Sequence, residues 1–296
     1  MEICFNALKS GLGNNGGTKT IVRSAETLQS LGHEVSIAAR VNHYTYTSVE
    51  VPVLGEIPRH SIVVGVSSLD VDEGIHNDFW WIRGWELWNY KEPRLLEKCR
   101  TTKCIAISTW LVEHLNKNGI DCELCYAGMD LDKWGVDKPW TERKFWGALY
   151  SSRHKTKRWD LVQRLDWFID KPLLALGIDC RNADYAELRK FYNKCRVWVA
   201  TSELEGFHQV PAEAALCGCS IVRPSTDRCG MNDYSGGCAS ATMVYGDGLE
   251  DAVDALDYAW GRNEIAMREC IIDRIGDRAE NMDKFVHLLN NTVIRL

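Results

Sequence analysis

The sequence offers little that points to a membrane or to export. It has no run of about 20 consecutive apolar residues, the length that a helix needs to cross a bilayer. The first ten residues, MEICFNALKS, have an acidic side chain at position 2 and no basic segment, so they do not resemble a secretory signal. We therefore expect a cytoplasmic protein without stable membrane insertion.

An excess of positive charge is also missing. The 296 residues carry 35 basic and 41 acidic side chains, which gives a formal net charge of −6. This balance argues against a protein whose whole surface binds nucleic acid, although it is compatible with a local basic patch. There is no internal repeat and no low-complexity segment, and the length suits two modest domains.

Cysteine and tryptophan, by contrast, are abundant, with twelve residues of each type. The cysteines are scattered through a chain too long to need covalent staples, and without an export signal they indicate reduced cytosolic thiols. Cys122 and Cys125 form a CxxC pair, and Cys217 lies two positions before Cys219. A zinc site needs four ligands within tetrahedral reach, so we expect buried free thiols and no metal site.

The apolar pattern alternates between strand and helix along the chain. Apolar strands are predicted at residues 2–8, 33–39, 60–66, 103–107, 121–127, 145–150, 172–177, 195–200 and 219–223. Segments with a helical apolar stripe separate them, and roughly the last fifty residues are predicted to be helical. Asp184, with Glu187 three residues later, predicts a capping box at the start of one of these helices. Such an alternation predicts parallel sheets with helices on both faces.

A polar segment with glycine and proline, residues 130–144, interrupts this alternation, which then restarts. We therefore predict two Rossmann-like domains. The N-terminal domain would span residues 1–138 and the second domain residues 139–275. A C-terminal helix, residues 276–296, would pack back across the domains.

The most informative segment is TSELEGFHQVPAEAALCGCSIVRPS, residues 201–225. In it, Glu205 and Glu213 flank a loop that leads into a helix, and Pro211 stands where a proline of the first turn belongs. The loop brings backbone N–H groups to a helix N-terminus, which favours anion binding. Two carboxylates beside such a site suit the binding of hydroxyl groups. Taken alone, the residues are explained equally well by a solvated loop before an ordinary surface helix.

The same segment resembles the signature of the family 4 retaining glycosyltransferases of the GT-B fold, E-G-F-G-x-x-x-x-E-A-x-A-x-G-x-P-V-V. The matching residues are Glu205, Gly206, Phe207, Glu213, Ala214, Gly218 and Val222. His208 stands where the family has glycine, which would narrow the space beside a donor sugar, and Ser220 stands where it has proline. The resemblance implies an α/β protein of GT-B architecture, with a cleft between its two Rossmann-like domains.

Other segments extend the resemblance. Residues 147–165, GALYSSRHKTKRWDLVQRL, are similar to the pattern G-x-x-x-S-R-x-x-x-x-K-G-x-D, whose arginine and lysine hold the donor diphosphate. Arg153 matches the arginine. Lys157 matches the lysine with a gap one residue short, and Lys155 and Arg158 are rivals for this role. Residues 14–39 and 107–134 resemble the beginning and the end of the family's N-terminal domain.

The glycine-rich segment GLGNNGGTKT, residues 11–20, admits three interpretations. A P-loop is excluded because Thr18 separates the last glycine from the lysine. The dinucleotide pattern G-x-G-x-x-G is matched literally, but the next strand does not end in an acidic residue. The resemblance implies instead that Gly16 and Gly17 let the backbone approach the donor phosphate. A glycine turn that binds nothing remains an alternative.

Aromatic side chains are concentrated in FWWIRGWELWNY, residues 79–90. Indole rings stack on sugars and on unstacked bases, and the resemblance places acceptor binding in the N-terminal domain. The candidate acceptor residues are Trp81, Arg83, Trp85 and Glu86. For each single tryptophan, packing in the core or between the domains is the alternative.

The resemblance implies transfer of a hexose from a nucleoside diphosphate sugar, with UDP-glucose the first choice, and with retention of configuration. Glu205, Arg153 and Lys157 would be the catalytic residues. The donor would also be bound by Gly16, Gly17, Phe207, His208, Gln209 and Glu213, the last through the ribose hydroxyls. No cofactor and no metal would be required, because the cationic side chains and a helix N-terminus neutralise the departing diphosphate.

The identity of the acceptor is left open. A soluble glycan or a small molecule is the first expectation, and a hydroxymethylated pyrimidine in DNA, as in viral enzymes of this fold, is the alternative. Tryptophans near basic residues suit a flipped base, whereas the net charge of −6 does not. A sugar phosphorylase or epimerase would share the phosphate site. A non-catalytic module that binds nucleotide sugars or carbohydrates is the alternative outside the enzymes.

Overall fold

The computed structural model describes residues 1–67, 69, 71, 74–84, 92–151, 155–181, 183–236, 242–246, 248–262 and 266–293. The chain divides into two compact units, the first made of Met1–Met129 with Asp277–Leu296 and the second of Asp130–Gly276. The division therefore falls before the expected boundary at residue 138, and the C-terminal residues join the first unit.

A parallel sheet forms the centre of the first unit. Its strands are β1 (Glu2–Asn6), β2 (Glu34–Ala38), β3 (Val53–Leu54), β4 (Ile62–Gly65), β5 (Phe79–Ile82), β6 (Lys103–Ala106) and β7 (Cys122–Leu124). Among the described residues they form a seven-stranded sheet in the order β3-β2-β1-β4-β5-β6-β7, with all neighbours parallel. The order changes direction between β1 and β4, as in doubly wound Rossmann-like domains. The helices α1 (Gly16–Ser30), α2 (Glu92–Cys99) and α3 (Thr109–Lys117) connect the strands.

The second unit has the same construction with fewer strands. Its strands are β8 (Phe145–Leu149), β9 (Leu173–Leu176), β10 (Cys195–Val199), β11 (Ser220–Pro224) and β12 (Thr242–Tyr245). Its helices are α4 (Trp159–Phe168), α5 (Tyr185–Tyr192), α6 (Gln209–Leu216), α7 (Met231–Ser235), α8 (Leu249–Trp260) and α9 (Ala266–Arg274). In the described part of the unit, five parallel strands are ordered β12-β11-β10-β8-β9, and the order changes direction between β8 and β10.

The last helix, α10 (Arg278–Val293), completes the first unit. It packs on α1, and its Phe285 lies 5.4 Å from the ring centroid of Trp81 and 6.3 Å from that of Phe5. Arg278 is buried and donates a hydrogen bond to the carbonyl of Ala127 at 3.0 Å. The predicted C-terminal helix therefore exists, and it supplies core residues to the first unit.

Most predicted elements are confirmed, with ends shifted by one to three residues. The predicted capping box of α5 is present, since the Glu187 N–H donates to Asp184 at 2.8 Å and the Asp184 N–H donates to Glu187 at 3.4 Å. The strands β3, β5 and β12 and the helices α2 and α7 were not predicted. Strand β5 lies inside the aromatic segment, where an unbroken apolar run has no periodicity to identify it.

The cysteines are mainly buried thiols. Those at positions 4, 99, 104, 122, 125, 180, 195, 217, 219 and 229 are free, and burial raises the pKa of Cys125, Cys195 and Cys217 to about 12. Cys270 is disulfide-bonded, so the expectation of reduced thiols throughout is wrong at this position. In the described ranges no cluster of His, Cys, Asp or Glu is arranged to hold a metal ion.

The helices also bear on the expectation about membrane insertion. No helix that the structure describes has both the length and the apolar character needed to cross a bilayer.

Candidate functional site

Two loops meet at the carboxyl edge of the second sheet, at the point where the strand order changes direction. The loop after β8 contains a 3-10 turn, Lys155–Lys157, and the loop after β10 contains residues 200–208. Doubly wound sheets bind their ligands at such a point. The topology therefore identifies these two loops as a candidate site.

Hydrogen bonds fasten the two loops to each other. The backbone N–H of Glu203 donates to the carbonyl of Thr156 at 3.1 Å, and the hydroxyl of Thr201 donates to the carbonyl of Lys157 at 2.6 Å. Because both bonds end on the backbone of the 3-10 turn, the backbone of Lys157 is held at a fixed position relative to the second loop.

Lys157 forms an ion pair with Oε1 of Glu205. The Lys157 side chain is 24% exposed and that of Glu205 is 16% exposed, so a ligand can reach both groups. Burial by itself would raise the pKa of Glu205, but the interactions with His208 and Lys157 and hydrogen bonds from Lys157 and Ser202 hold it below its usual value. The carboxylate is therefore ionised throughout the neutral range, and the structure brings together two of the predicted catalytic residues.

The rival cations have different surroundings. Lys155 lies on the same turn and is exposed. Arg158 forms an ion pair with Glu203 and lies 3.3 Å from Oδ1 of Asp160. Of these cations, Lys157 is the one paired with Glu205. Arg153, the other predicted diphosphate ligand, lies outside the described residues.

A third segment, residues 228–230, holds the loop that carries Glu205 by backbone hydrogen bonds. The Glu205 N–H donates to the carbonyl of Arg228 at 3.1 Å, and the Gly230 N–H donates to the carbonyl of Glu205 at 3.2 Å. A Cβ atom at Gly230 would lie 2.1 Å from the carbonyl oxygen of Gly206 and 2.6 Å from Cα of Phe207. Residue 230 must therefore be glycine for the loop to lie where it does. Sequence reasoning missed this brace, for which the glycine itself was the only signal.

Helix α6 begins directly after this loop. Its N-cap is His208, with φ +63° and ψ +67°, a left-handed conformation that favours glycine. The first residue of α6 is Gln209, and Pro211 follows in the first turn, where its missing N–H leaves no intrahelical bond unmade. The positive end of α6 thus lies next to Glu205, as predicted, and is suited to an anion. Phe207 is buried against Tyr234, with the ring centroids 5.2 Å apart.

The ring of His208 points into the second unit. Its Nδ1 lies 3.2 Å from Sδ of Met231 and 3.8 Å from Sγ of Cys229, and its Nε2 lies 3.9 Å from Oε1 of Glu205. Burial lowers the pKa of His208 to about 4, although Glu205 opposes this shift. The expectation that the ring narrows an open space beside a sugar is corrected, because the residue is only 6% exposed.

Glu213 is more deeply buried than its predicted role suggests. It is 2% exposed, and the hydroxyl of Tyr192 donates a hydrogen bond to its Oε2 at 3.0 Å. Burial, followed by the charge of Glu213, raises the pKa of Tyr192 well above its usual value, so the phenol remains a donor. Sequence analysis did not identify Tyr192. A ribose could reach Glu213 only after some of the residues that bury this carboxylate moved.

In the first unit, the glycine-rich loop follows β1, at the point where that sheet changes direction. Gly16 and Gly17 form the first turn of α1, whose N-cap is Asn15. Arg83 donates hydrogen bonds to the carbonyl of Gly17, at 2.6 Å, and to the carbonyl of Val66. A Cβ atom at Gly17 would lie 3.1 Å from Nη1 of Arg83. Arg83 therefore holds the glycine-rich loop through the backbone carbonyl of Gly17. This role differs from the predicted orientation of an acceptor hydroxyl.

Trp81 does not have the exposure that an acceptor residue needs. It lies on β5, is 1% exposed and packs against Phe5 and Phe285, so its assignment to the acceptor side is corrected to the core of the first unit. The alternative considered for a single tryptophan applies here. Trp85 and Glu86 lie outside the described residues.

Comparison with known proteins finds relatives in structure only. No protein-family model matches the sequence, and no curated protein matches it. Sucrose-phosphate synthase from Thermosynechococcus elongatus matches with a TM-score of 0.77 and 13% identity over 100% of both chains. HepE from Anabaena, in complex with UDP-glucose, matches with a TM-score of 0.77 and 12% identity over 98% of this chain and 100% of that one. WaaG, a glycosyltransferase involved in lipopolysaccharide biosynthesis, matches with a TM-score of 0.69 and 11% identity over 95% and 98%.

These matches identify the architecture. The chain has the GT-B fold, and the predicted α/β class with parallel sheets is confirmed.

Proposed function

We propose that the protein is a retaining glycosyltransferase that moves a hexose from a UDP-sugar, with UDP-glucose the first choice, to a hydroxyl acceptor. The observation that carries the proposal is the pair of Lys157 and Glu205 beside the positive end of α6, in a chain with the GT-B fold. The UDP-glucose complex of HepE supports the choice of donor.

The leaving diphosphate gains negative charge as the glycosidic bond breaks. Lys157 and the N-terminus of α6 present positive charge at one place, and Arg153 would join them according to the sequence match. Groups arranged in advance around a developing charge stabilise the transition state more than the ground state. The proposed reaction therefore needs no metal.

Glu205 would accept hydrogen bonds from hydroxyls of the donor sugar. Its ionised state supports this role, because a carboxylate is an acceptor at both oxygens. The backbone amides at Phe207, His208 and Gln209 would contact the sugar and the diphosphate. Glu213, oriented by Tyr192, would bind the ribose.

The acceptor is proposed to be a hydroxyl of a glycan or a small molecule. The net charge of −6 supports this class over a nucleic acid. No residue of the described chain is assigned to it, since Trp81 and Arg83 have other roles in the structure.

The experiment is a mass-spectrometric screen of the full chain with a panel of nucleotide sugars and pooled acceptors, including hydroxymethylated DNA, in the presence and absence of a chelator. We expect a hexose adduct and release of UDP that both depend on the acceptor and survive chelation. The anomeric coupling in the NMR spectrum of the product should equal that of the donor sugar. Phosphate-dependent turnover would indicate a phosphorylase, and donor binding without turnover would indicate a binding module.

A further inference from the structure

His208 combines two features that are costly for the folded state. Its backbone is left-handed, which is unfavourable for a residue with a Cβ atom, and its polar ring is buried, which is unfavourable unless the ring nitrogens have partners. Residues held in such strained conformations cluster at functional sites. The partners of the two ring nitrogens indicate which function that is.

The surroundings offer an acceptor to each of the two ring nitrogens. Nε2 faces Oε1 of Glu205, a carboxylate that can only accept. Nδ1 faces Sγ of Cys229, whose pKa is raised to about 12 by burial, so that the thiol keeps its hydrogen and can donate. The second neighbour of Nδ1, the thioether of Met231, lies closer, at 3.2 Å, and can only accept. With its hydrogen on Nε2 the neutral imidazole directs that hydrogen at Glu205 and accepts from Cys229 at Nδ1, whereas with its hydrogen on Nδ1 it donates to Met231. The carboxylate is the stronger acceptor, which favours the Nε2–H tautomer.

Two groups face Oε1 of Glu205, and one of them is bonded to it. Lys157 is paired with it in this structure, and Nε2 of His208 lies 3.9 Å away, just beyond hydrogen-bonding distance. A bound diphosphate would attract the ammonium group of Lys157 away from the carboxylate. A small rotation of the Glu205 side chain would then close the gap to Nε2–H.

We propose that His208 is a positioning residue, whose Nε2–H takes over Oε1 of Glu205 when the donor diphosphate draws Lys157 away. The carboxylate then keeps one orientation toward the donor sugar throughout the reaction. The proposal rests on the proposed glycosyl transfer, and it concerns a position at which this chain departs from the glycine of the family signature.

The protonation states of His208 and of the ionisable groups around it do not change over the neutral pH range. Glu205 and Lys157 are the charged neighbours of the ring. Burial raises the pKa of Cys229, which lies beside Nδ1, and of Tyr234, whose hydroxyl donates to the backbone carbonyl of His208. The imidazole is therefore neutral and the thiol and the phenol are protonated near pH 7. His208 orients Glu205 by a directed hydrogen bond, without adding a second positive charge.

The test compares two substitutions that each keep one half of the imidazole. In His208→Gln the side-chain amide extends to the position of Nε2, and in His208→Asn it reaches only the position of Nδ1. Asparagine is the better residue for a left-handed backbone, so a purely structural role predicts that Asn is tolerated and Gln is not. We expect the opposite for activity: Gln keeps most of the turnover, whereas Asn lowers kcat by about ten- to a hundredfold, the scale of a misplaced group.

Binding separates the positioning role from general damage. Uridine lacks both the diphosphate that would draw Lys157 away and the sugar that Glu205 would bind, so its affinity should be the same in both variants, while the affinity for UDP-glucose should fall in the Asn variant alone. Turnover in the Asn variant equal to or above that in the Gln variant would overturn the proposal.

A second measurement does not depend on activity or on any variant being folded. The ¹⁵N chemical shifts of His208 in the unmodified protein report the tautomer, and we expect hydrogen on Nε2. UDP is then added to protein that carries ¹³C-labelled glutamate, and the carboxyl signal of Glu205 should shift. An Nδ1–H tautomer would overturn the positioning role even if transfer is observed. If the protein transfers no sugar, the proposed function fails while the tautomer and the UDP titration still decide the link between His208 and Glu205.

Discussion

At the scale of single residues, the chemistry depends on which cation meets Glu205. We predict that Lys157→Met lowers kcat by about 10²- to 10³-fold, as removal of one group that stabilises a developing charge does, because its ammonium is the one paired with Glu205. Lys155→Met is the matched control, since Lys155 is exposed on the same 3-10 turn. Steady-state kinetics with saturating acceptor measure both variants. Equal losses in the two would remove Lys157 from its assigned role.

Glu213 gives a prediction that separates binding from chemistry. If Glu213 binds the ribose, Glu213→Ala should raise the KM for the donor more than it lowers kcat, because ribose is held equally in ground and transition states. Tyr192→Phe removes the hydrogen bond to Oε2 and should raise the same KM to a smaller extent. Circular dichroism during unfolding tests the structural alternative. Loss of stability in both variants, with an unchanged KM in the folded protein, would show that Glu213 is only a buried packing residue.

His208 also makes stability depend on pH. Its pKa in the folded protein is about 4, below its usual value of 6.5. The unfolded chain therefore binds a proton that the folded chain does not, and this contribution is complete above pH 6.5 and is lost as the pH falls toward 4. The loss is on the order of 3 kcal/mol. Glu205, with a lowered pKa, acts in the same direction.

Urea unfolding between pH 4 and pH 7 checks this prediction. The free energy of unfolding of the unmodified protein should fall with acidification more steeply than that of His208→Gln, which retains Glu205. Parallel curves for the two proteins would mean that folding leaves the pKa of the imidazole unchanged.

At the scale of elements, the site loop depends on a close backbone contact. Gly230→Ala would place a methyl group 2.1 Å from the carbonyl oxygen of Gly206, so the loop before α6 must move. We predict a loss of roughly 1–3 kcal/mol, typical of overpacking, and loss of transfer. Gly261→Ala is the control, since its nearest neighbour, the carbonyl oxygen of Tyr258, would be 3.6 Å away. Thermal unfolding and donor binding measure both, and an active, stable Gly230→Ala protein would refute the bracing role.

At the scale of the whole molecule, the two units differ in continuity. Residues 130–276 form a continuous unit, whereas residues 1–129 share theirs with 277–296. We predict that a fragment of residues 130–276 unfolds cooperatively by itself. A fragment of residues 1–129 should not, because it lacks α10. In the whole chain Phe285 of α10 packs against Trp81 in the core, and Arg278 donates a buried hydrogen bond to the carbonyl of Ala127. Joining residues 277–296 to residue 129 through a short flexible linker should restore cooperative unfolding, as followed by circular dichroism. A cooperative fragment 1–129 would show that α10 is dispensable.

Local rules in the sequence were sufficient for much of the architecture. The alternation of apolar runs with helical stripes predicted the parallel sheets, since both patterns follow from backbone geometry within a few residues. Short-range chemistry was equally reliable: Asp184 and Glu187 form the predicted capping box, and Pro211 lies in the first turn of its helix. The resemblance around Glu205 indicated the GT-B fold from residues that are close together in the chain, although the sequence matches no family model.

Contacts between residues distant in the chain were decided by the tertiary structure alone. The pairing of Lys157 with Glu205, the hydroxyl of Tyr192 on Glu213 and the approach of Gly230 to Gly206 join loops that follow different strands, and no periodicity records them. Burial divided residues that composition treats alike. A tryptophan suits a sugar platform or a core equally well, and only the packing of α10 against the first sheet placed Trp81 in the core. The burial of the His208 ring was also decided by the tertiary structure, because the direction of a side chain is set by the neighbours that the fold brings to it.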